Sequence, residues 1–149
     1  MRSQPQTYFD DVEVGQEITP LMKNCTTRQL VMWAAASSDF YEIHYDQQFA
    51  ASAGLPGLVV HGALKNAFLG NLLHNFVRPD GRVLRFGCSY RGMDYPNQEM
   101  TCRGVIRRKY QEEDRSLVEL EIWVENAERK VTTPGSALVT LPTRSTAES

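Results

Sequence analysis

The spacing of apolar residues changes part way along the chain. Between about residues 27 and 76, apolar residues recur every three or four positions, which is typical of helices packed on one side. From Arg82 onward the period is two, which is typical of strands with one covered face. Helices therefore come first and strands later, and this order predicts an α+β fold.

Three helices are predicted in the first half. Thr26–Gln29 fits a capping box, which begins a helix that reaches about Ser37. Asp46 is the expected N-cap of a short second helix, which Gly54 ends by adopting a positive φ. The third helix, from about His61 to Phe76, is apolar on most of its surface. We therefore expect this helix to be buried.

Alternation in the second half predicts an antiparallel sheet. It is clearest from Val118 to Glu125, where even positions are apolar and odd positions are mostly charged. Within residues 82–90, the same pattern places Leu84, Phe86, Cys88 and Tyr90 on one face. Further strands are expected around Gln16–Cys25, Met100–Ile106 and Ala137–Leu141. Turns at residues 112–115 and 126–130 suit hairpins. One sheet on one helix leaves open edges, which a second copy of the chain commonly covers.

Composition narrows the class of protein. With 149 residues, 42% of them hydrophobic, and a net charge of −2, residues 1–149 are expected to form one domain with short polar tails. The near balance of charge argues against a general nucleic-acid binder. Cys25, Cys88 and Cys102 are widely spaced, so neither a disulfide framework nor a zinc site is indicated. No leader or long apolar segment is visible, and we expect a cytoplasmic protein without membrane insertion.

Two sets of residues carry candidate chemistry. Asp39 follows the end of the first helix, and His44 lies five residues further on. A tight turn between them would aim a carboxylate and an imidazole at one water molecule, and the imidazole titrates near neutral pH. The free N–H groups of Gly62 and Ala63, at the start of the third helix, are suited to a developing oxyanion.

These segments resemble a known family. Residues 33–46 are similar to the hydratase signature of MaoC-like acyl dehydratases, the type-2 (R)-specific enoyl-CoA hydratases, whose pattern is Ser-Gly-Asp-x-Asn-Pro-(Leu/Ile)-His-x-Asp. The chain departs from it at Ser38, where the pattern has Gly, and at Tyr41-Glu42, where it has Asn-Pro. Residues 57–62 resemble the Pro-Ile-x-His-Gly segment of the family. Residues 9–15 and 90–96 match other parts of it more loosely.

The resemblance implies a fold and a reaction. The fold would be a hot-dog, in which an antiparallel sheet wraps one long helix. Asp39 and His44 would hold the water that adds to a trans-2-enoyl thioester, giving an (R)-3-hydroxyacyl thioester, while an amide near Gly62 forms the oxyanion hole. We expect Tyr41, Val60 and Ala63 to contact the substrate. Coenzyme A would be a substrate carrier, with no bound cofactor and no metal.

Some assignments stay open at this point. We expect His61 to fix its loop or a subunit contact rather than to transfer a proton, and the cysteines to be small core residues. Arg91, or the basic cluster at residues 107–109, could meet coenzyme A phosphates. A homodimer or higher oligomer is expected. Two alternatives remain: an acyl-CoA thioesterase on the same fold, and a catalytically silent acyl-binding subunit of a hetero-oligomeric hydratase.

Overall fold

The computed structural model describes residues 5–147 as five strands and four α-helices. The strands are β1 (Leu21–Asn24), β2 (Arg82–Cys88), β3 (Glu99–Glu112), β4 (Arg115–Asn126) and β5 (Val131–Thr140). The helices are α1 (Thr27–Ser37), α2 (Gln47–Ser52), α3 (Gly62–Val77) and α4 (Arg144–Ala147). The strands form one antiparallel sheet in the order β1-β3-β4-β5-β2. The α+β prediction is confirmed.

The core lies between α3 and the inner face of the sheet. Helix α3 contacts β2, β3, β4 and β5, and it buries Leu64, Phe68, Leu69, Leu72 and Leu73. The exposed positions of α3, which are Ala63, Ala67, Asn71 and His74, form one stripe, and the large apolar side chains lie away from it against the sheet. The predicted buried helix is confirmed. Within residues 5–147, no helix has both the length and the apolar character needed to cross a membrane.

The helix ends follow the sequence signals. The hydroxyl of Thr26 accepts a hydrogen bond from the N–H of Gln29 at 3.2 Å and so caps α1. The carboxylate of Asp46 accepts from the N–H groups of Gln48 and Phe49 at 2.9 and 3.0 Å and caps α2. Gly54 follows α2 with a φ of 77°. The two N-caps and the positive φ of Gly54 are confirmed, and each N-cap satisfies backbone groups that the helix itself leaves unpaired. Of the predicted capping box, the structure shows the bond to the Thr26 hydroxyl.

The two predicted hairpins join β3 to β4 and β4 to β5. At the first turn, Glu113 and Asp114 both have positive φ, a geometry that matches the twist of the flanking strands. The inward residues of β3 are Met100, Cys102, Gly104 and Ile106, all buried as expected. The early strand is shorter than predicted, since β1 begins at Leu21. Before it, residues 15–18 meet β3 through one bridge between Glu17 and Val105 and through backbone hydrogen bonds to Gly104 and Ile106.

Strand β2 departs from the predicted alternation. Val83 pairs with Val139, and Arg85 pairs with Leu138, so one extra residue lies between these pairs as a bulge. The bulge turns Leu84 outward, where it is 43% exposed, and Val83 packs against the core instead. Phe86 and Cys88 still face inward. The prediction was therefore wrong for Leu84, and also for Tyr90, which lies beyond the end of β2 and is 55% exposed.

Candidate active site

The turn after α1 brings three side chains together. Ser38 ends α1 with a φ of 60°, and a short 3-10 helix at Glu42–His44 turns the chain back. A carboxylate oxygen of Asp39, a ring nitrogen of His44 and a ring nitrogen of His61 all lie within 4.8 Å of one another. The structure thus brings together the two residues proposed from their spacing and adds His61 to them.

A backbone carbonyl orients the His44 ring. His44 is 7% exposed, and its Nδ1 lies 2.6 Å from the carbonyl oxygen of Val59. A carbonyl oxygen only accepts, so Nδ1 carries the proton and donates it. In the neutral imidazole, Nε2 therefore holds the lone pair, and this nitrogen is the one that can accept a proton from water.

Asp39 lies in a turn that also presents an aromatic ring to the site. The Asp39 carboxylate is partly exposed and accepts a long hydrogen bond, 3.4 Å, from the N–H of Tyr41. The Tyr41 ring meets His44 edge-on, with centroids 6.2 Å apart, and meets Phe49 at 5.9 Å. Tyr41, the residue that replaces the Asn of the family pattern, therefore contacts the imidazole directly.

His61 packs face to face against His44. Its ring is fully buried and lies 3.7 Å from the His44 ring, with 19° between their planes. Its Nε2 donates to the backbone carbonyl of Asp39 at 3.4 Å, and its Nδ1 has no partner within residues 5–147. Burial lowers the pKa of His61, and His44 acts in the same direction, while Asp39 opposes both. His61 is therefore neutral at pH 7 and joins the Asp39 turn to α3.

The same three residues include the ligand types of a metal site, but their orientation suits one poorly. Stacked imidazoles hold their in-plane lone pairs in two nearly parallel planes, one above the other, so two such rings do not aim at one ion. His44 also uses Nδ1 for its bond to Val59. The arrangement is better suited to moving protons than to holding a cation.

The N-terminus of α3 reaches the same region. The first N–H groups bonded within the helix belong to Leu64 and Lys65, which both donate to the carbonyl of His61, so those of Gly62 and Ala63 precede the ladder. A methyl group at Gly62 would lie 2.9 Å from two ring carbons of Tyr90. Glycine is needed here because the Tyr90 ring packs directly against the backbone.

A cleft of about 310 Å³ opens between these elements. Six of the residues that line it are His44, Val60, Gly62, Lys65, Tyr90 and Arg91. Among the residues expected to contact substrate, Val60 lines the cleft, whereas Tyr41 and Ala63 do not line it.

The candidate phosphate-binding cations differ in their positions. Arg91 lines the cleft. In the basic cluster at residues 107–109, by contrast, each side chain has a partner on the sheet or beside it. Arg107 and Arg108 pair with glutamates of β4, and Lys109 donates to the carbonyls of Phe9 and Val12. Arg91 is therefore better placed than the basic cluster at residues 107–109 to contact a phosphate at the cleft.

Lys65 and Asp94 form a buried ion pair that sequence reasoning missed. The ammonium of Lys65 lies 2.8 Å from Oδ2 of Asp94, with side chains 2% and 1% exposed. Lysine is almost never fully buried without a partner. The signal in the sequence is a lysine next to Leu64 in a helix of mainly apolar residues, and nothing in the local pattern indicates Asp94.

The cysteines behave as core residues. Cys25 and Cys102 are fully buried, and burial raises the pKa of their thiols to about 11 and about 12. Burial also raises the pKa of Cys88, which is half-buried. Such thiols are protonated near neutral pH, so they do not act as nucleophiles.

One long helix packed on an antiparallel sheet, with a carboxylate and an imidazole beside the helix N-terminus, defines an acyl dehydratase type of architecture. The MaoC like domain model matches residues 11–128, and the chain belongs to this family. The resemblance drawn from the sequence motifs is confirmed.

Individual relatives agree with this assignment. An (R)-specific enoyl-CoA hydratase from Aeromonas caviae is 26% identical over 132 residues, which are 88% of this chain and 96% of the relative. The solved structure of the (R)-hydratase from A. caviae involved in PHA biosynthesis has a TM-score of 0.79 at 25% identity, covering 89% of this chain and 98% of that one.

Two further comparisons are more limited. R-hydratase PhaJ1 from Pseudomonas aeruginosa has a TM-score of 0.82 at 20% identity, covering 92% and 86% of the two chains, and supports the fold. The fatty acid synthase beta subunit TOXC from Cochliobolus carbonum is 36% identical over 78 residues, 51% of this chain but only 4% of that protein. The structural similarity to the two hydratases confirms the predicted hot-dog fold.

Proposed function

We propose that the chain is a hydro-lyase that interconverts 2-enoyl-CoA and (R)-3-hydroxyacyl-CoA thioesters. Membership of the MaoC-like family and similarity to an (R)-specific enoyl-CoA hydratase support this activity. The observation that carries it is the convergence of the Asp39 carboxylate and the His44 imidazole within 4.8 Å, beside a cleft that His44 and Gly62 line.

In this proposal, Asp39 and His44 share the proton transfers of one water molecule. The water oxygen bonds to the β-carbon of the enoyl thioester, one water proton passes to the pair, and the pair returns a proton to the α-carbon. The lone pair on Nε2 of His44 suits it to the first transfer, because Nδ1 is held by Val59. The return of a proton to the α-carbon is assigned to the pair as a whole.

The helix N-terminus would stabilise the charge that this addition creates. Attack at the β-carbon moves negative charge onto the thioester oxygen, and the N–H of Gly62 is a suitable donor for it. Arg91 is suited to a phosphate of coenzyme A, the substrate carrier, and Val60 to the acyl group. Tyr41 and Ala63 remain proposed substrate contacts next to this cleft.

The activity is tested with purified protein and crotonyl-CoA. We expect loss of the conjugated-thioester absorbance, formation of (R)-3-hydroxybutyryl-CoA on chiral analysis, and no release of free thiol. Thiol release would identify a thioesterase. Turnover only after addition of a second, homologous subunit would identify a silent acyl-binding subunit. Either result contradicts the proposal.

We also propose that the enzyme is a homodimer, with a second copy on the free edge of β2. Strand β2 ends the sheet, so its outer backbone groups have no strand partner within residues 5–147, and it leads directly to Tyr90 and Arg91 at the cleft. Light scattering after size exclusion should give twice the 16.9 kDa chain mass. A monomeric mass at micromolar concentration would contradict the dimer.

A further inference from the structure

The ion pair of Lys65 with Asp94 ties α3 to the segment between β2 and β3. The Lys65 ammonium donates to the carbonyl of Gly92 at 2.9 Å as well as to Asp94 at 2.8 Å. The same oxygen, Asp94 Oδ2, accepts from the hydroxyl of Thr132 on β5 at 2.6 Å. The N–H groups of Arg91 and Gly92 both donate to the carbonyl of Thr132. Residues 91–94 are therefore held from two sides.

This segment in turn holds residues 59 and 60, which lie just before α3. The backbone carbonyl of Asp94 accepts from the N–H of Val60 at 2.8 Å. The carbonyl of Val59, one residue earlier, orients His44, and the N–H of Val59 donates to Ile43 at 3.1 Å. Gly62 follows two residues after Val60. Val59, which orients His44, and Gly62, the proposed oxyanion donor, therefore both lie within residues 59–62. The position of this segment depends on Asp94.

Stability alone explains this pair poorly. Desolvation of two charges offsets much of their attraction, and apolar residues of similar volume in such places are often as stabilising. The second carboxylate oxygen, Asp94 Oδ1, is buried with no hydrogen-bond partner in the part of the chain that the structure describes. The Lys65 side chain also lines the cleft beside His44 and Gly62. These features indicate that the ion pair serves the proposed site rather than the stability of the core alone.

We propose that Lys65 is a positioning residue: through Asp94 it fixes residues 59–62, so that Val59 orients His44 and Gly62 presents its N–H to the thioester oxygen. The catalytic part of this inference rests on the proposed hydratase function. The orientation of His44 does not, because it is a property of the free protein.

The test uses a double variant, Lys65→Met/Asp94→Leu, which removes both charges and keeps the buried volume filled. Turnover of crotonyl-CoA should fall about 10²-fold in kcat, because displacing a catalytic group by about 1 Å has an effect of this order. The change in KM should be much smaller. Asp11→Asn, which removes the exposed ion pair with Arg144, is the matched control and should leave kcat unchanged.

A spectroscopic measurement separates positioning from mere stability. Long-range ¹H–¹⁵N correlation spectra report which nitrogen of each histidine carries the proton, and the chain has three histidines. In the parent protein we expect His44 to be protonated at Nδ1. In the double variant we expect a mixture of tautomers and a changed pH profile of kcat/KM, since the Val59 carbonyl is no longer held in place.

The outcomes are distinct. A folded double variant with parental kcat and a parental His44 tautomer would overturn the inference. If the parent protein itself does not hydrate enoyl-CoA, the proposed function fails, and the tautomer comparison still decides whether Lys65 positions His44. If the double variant does not fold, Asp94→Asn replaces it, because it removes the carboxylate charge that pairs with Lys65 at nearly constant volume. Parental kcat and a parental His44 tautomer in Asp94→Asn would then overturn the inference.

Discussion

Ser38 is one of the residues at which this chain departs from the family pattern. The pattern has glycine there, and Ser38 adopts a left-handed conformation with φ 60° and ψ 22°. This conformation is unfavourable for residues with a Cβ by about 1–2 kcal/mol, whereas glycine adopts it freely. The turn that places Asp39 is thus formed without the residue that best suits it.

Ser38→Gly should stabilise the protein by about 1 kcal/mol, less than the full conformational penalty because glycine also makes the unfolded chain more flexible. Urea unfolding at fixed pH and protein concentration measures this. Ser38→Ala, which keeps the Cβ, is the control and should not stabilise. A Ser38→Gly variant less stable than the parent would contradict this account of the turn.

The buried imidazole of His61 should make the free energy of unfolding depend on pH. Its pKa in the folded protein is lowered by burial, so below about pH 6.5 the unfolded chain binds a proton that the folded protein does not. The free energy of unfolding should therefore fall as the pH drops through 6.5 and below. His61→Gln should reduce this dependence between pH 7.5 and 5.5, measured by urea unfolding.

The control for that experiment is His74→Gln, since His74 is exposed on α3. We expect the control to keep the parental dependence on pH. If the free energy of unfolding changes with pH in His61→Gln as it does in the parent protein, His61 is not the group that resists protonation.

At the element scale, periodicity predicts what a strand or helix buries, but not where the pattern shifts or what crosses between elements. The alternation of β3 and β4 follows the sequence closely. In β2, the bulge at Leu84 reverses the pattern, and no turn residue in the sequence marks it. Lys65 and Asp94 are 29 residues apart, so their pairing depends on how α3 docks and leaves no local signal.

The same pair gives a stability prediction for α3. Lys65→Met leaves the Asp94 carboxylate buried without its counter-charge, which should destabilise the protein by about 3–5 kcal/mol. Adding Asp94→Leu should recover most of this loss, because both charges are then gone. Urea unfolding of the single and double variants measures the difference. If Lys65→Met and the double variant have equal free energies of unfolding, the two charges do not compensate each other in the parent protein.

At the scale of the whole molecule, the fold was predictable because one long apolar helix followed by alternating strands has few ways to bury its surface. The residues that surround Asp39 and His44 were less predictable from the sequence. The spacing of Asp39 and His44, together with the family resemblance, identified those two residues. Their contact with His61 spans 17 and 22 residues and comes from the docking of the 59–62 segment, which the sequence pattern does not describe.

The central place of α3 is testable with a matched pair of truncations. Leu69→Ala removes a fully buried side chain from the core and should lower the free energy of unfolding by about 2–5 kcal/mol. Val131→Ala, at a position 44% exposed, should change it by less than about 0.5 kcal/mol. Similar losses for both variants in urea unfolding would contradict the packing described for α3.

In the proposed mechanism, Asp39 and His44 act together on one water molecule. The most direct test is kcat for crotonyl-CoA hydration by Asp39→Asn and His44→Gln, with Asp80→Asn and His74→Gln as exposed controls. Each site variant should lose about 10²- to 10⁴-fold in kcat, the range for general acid–base groups, while keeping the parental circular dichroism spectrum. Parental kcat in either site variant would contradict the account.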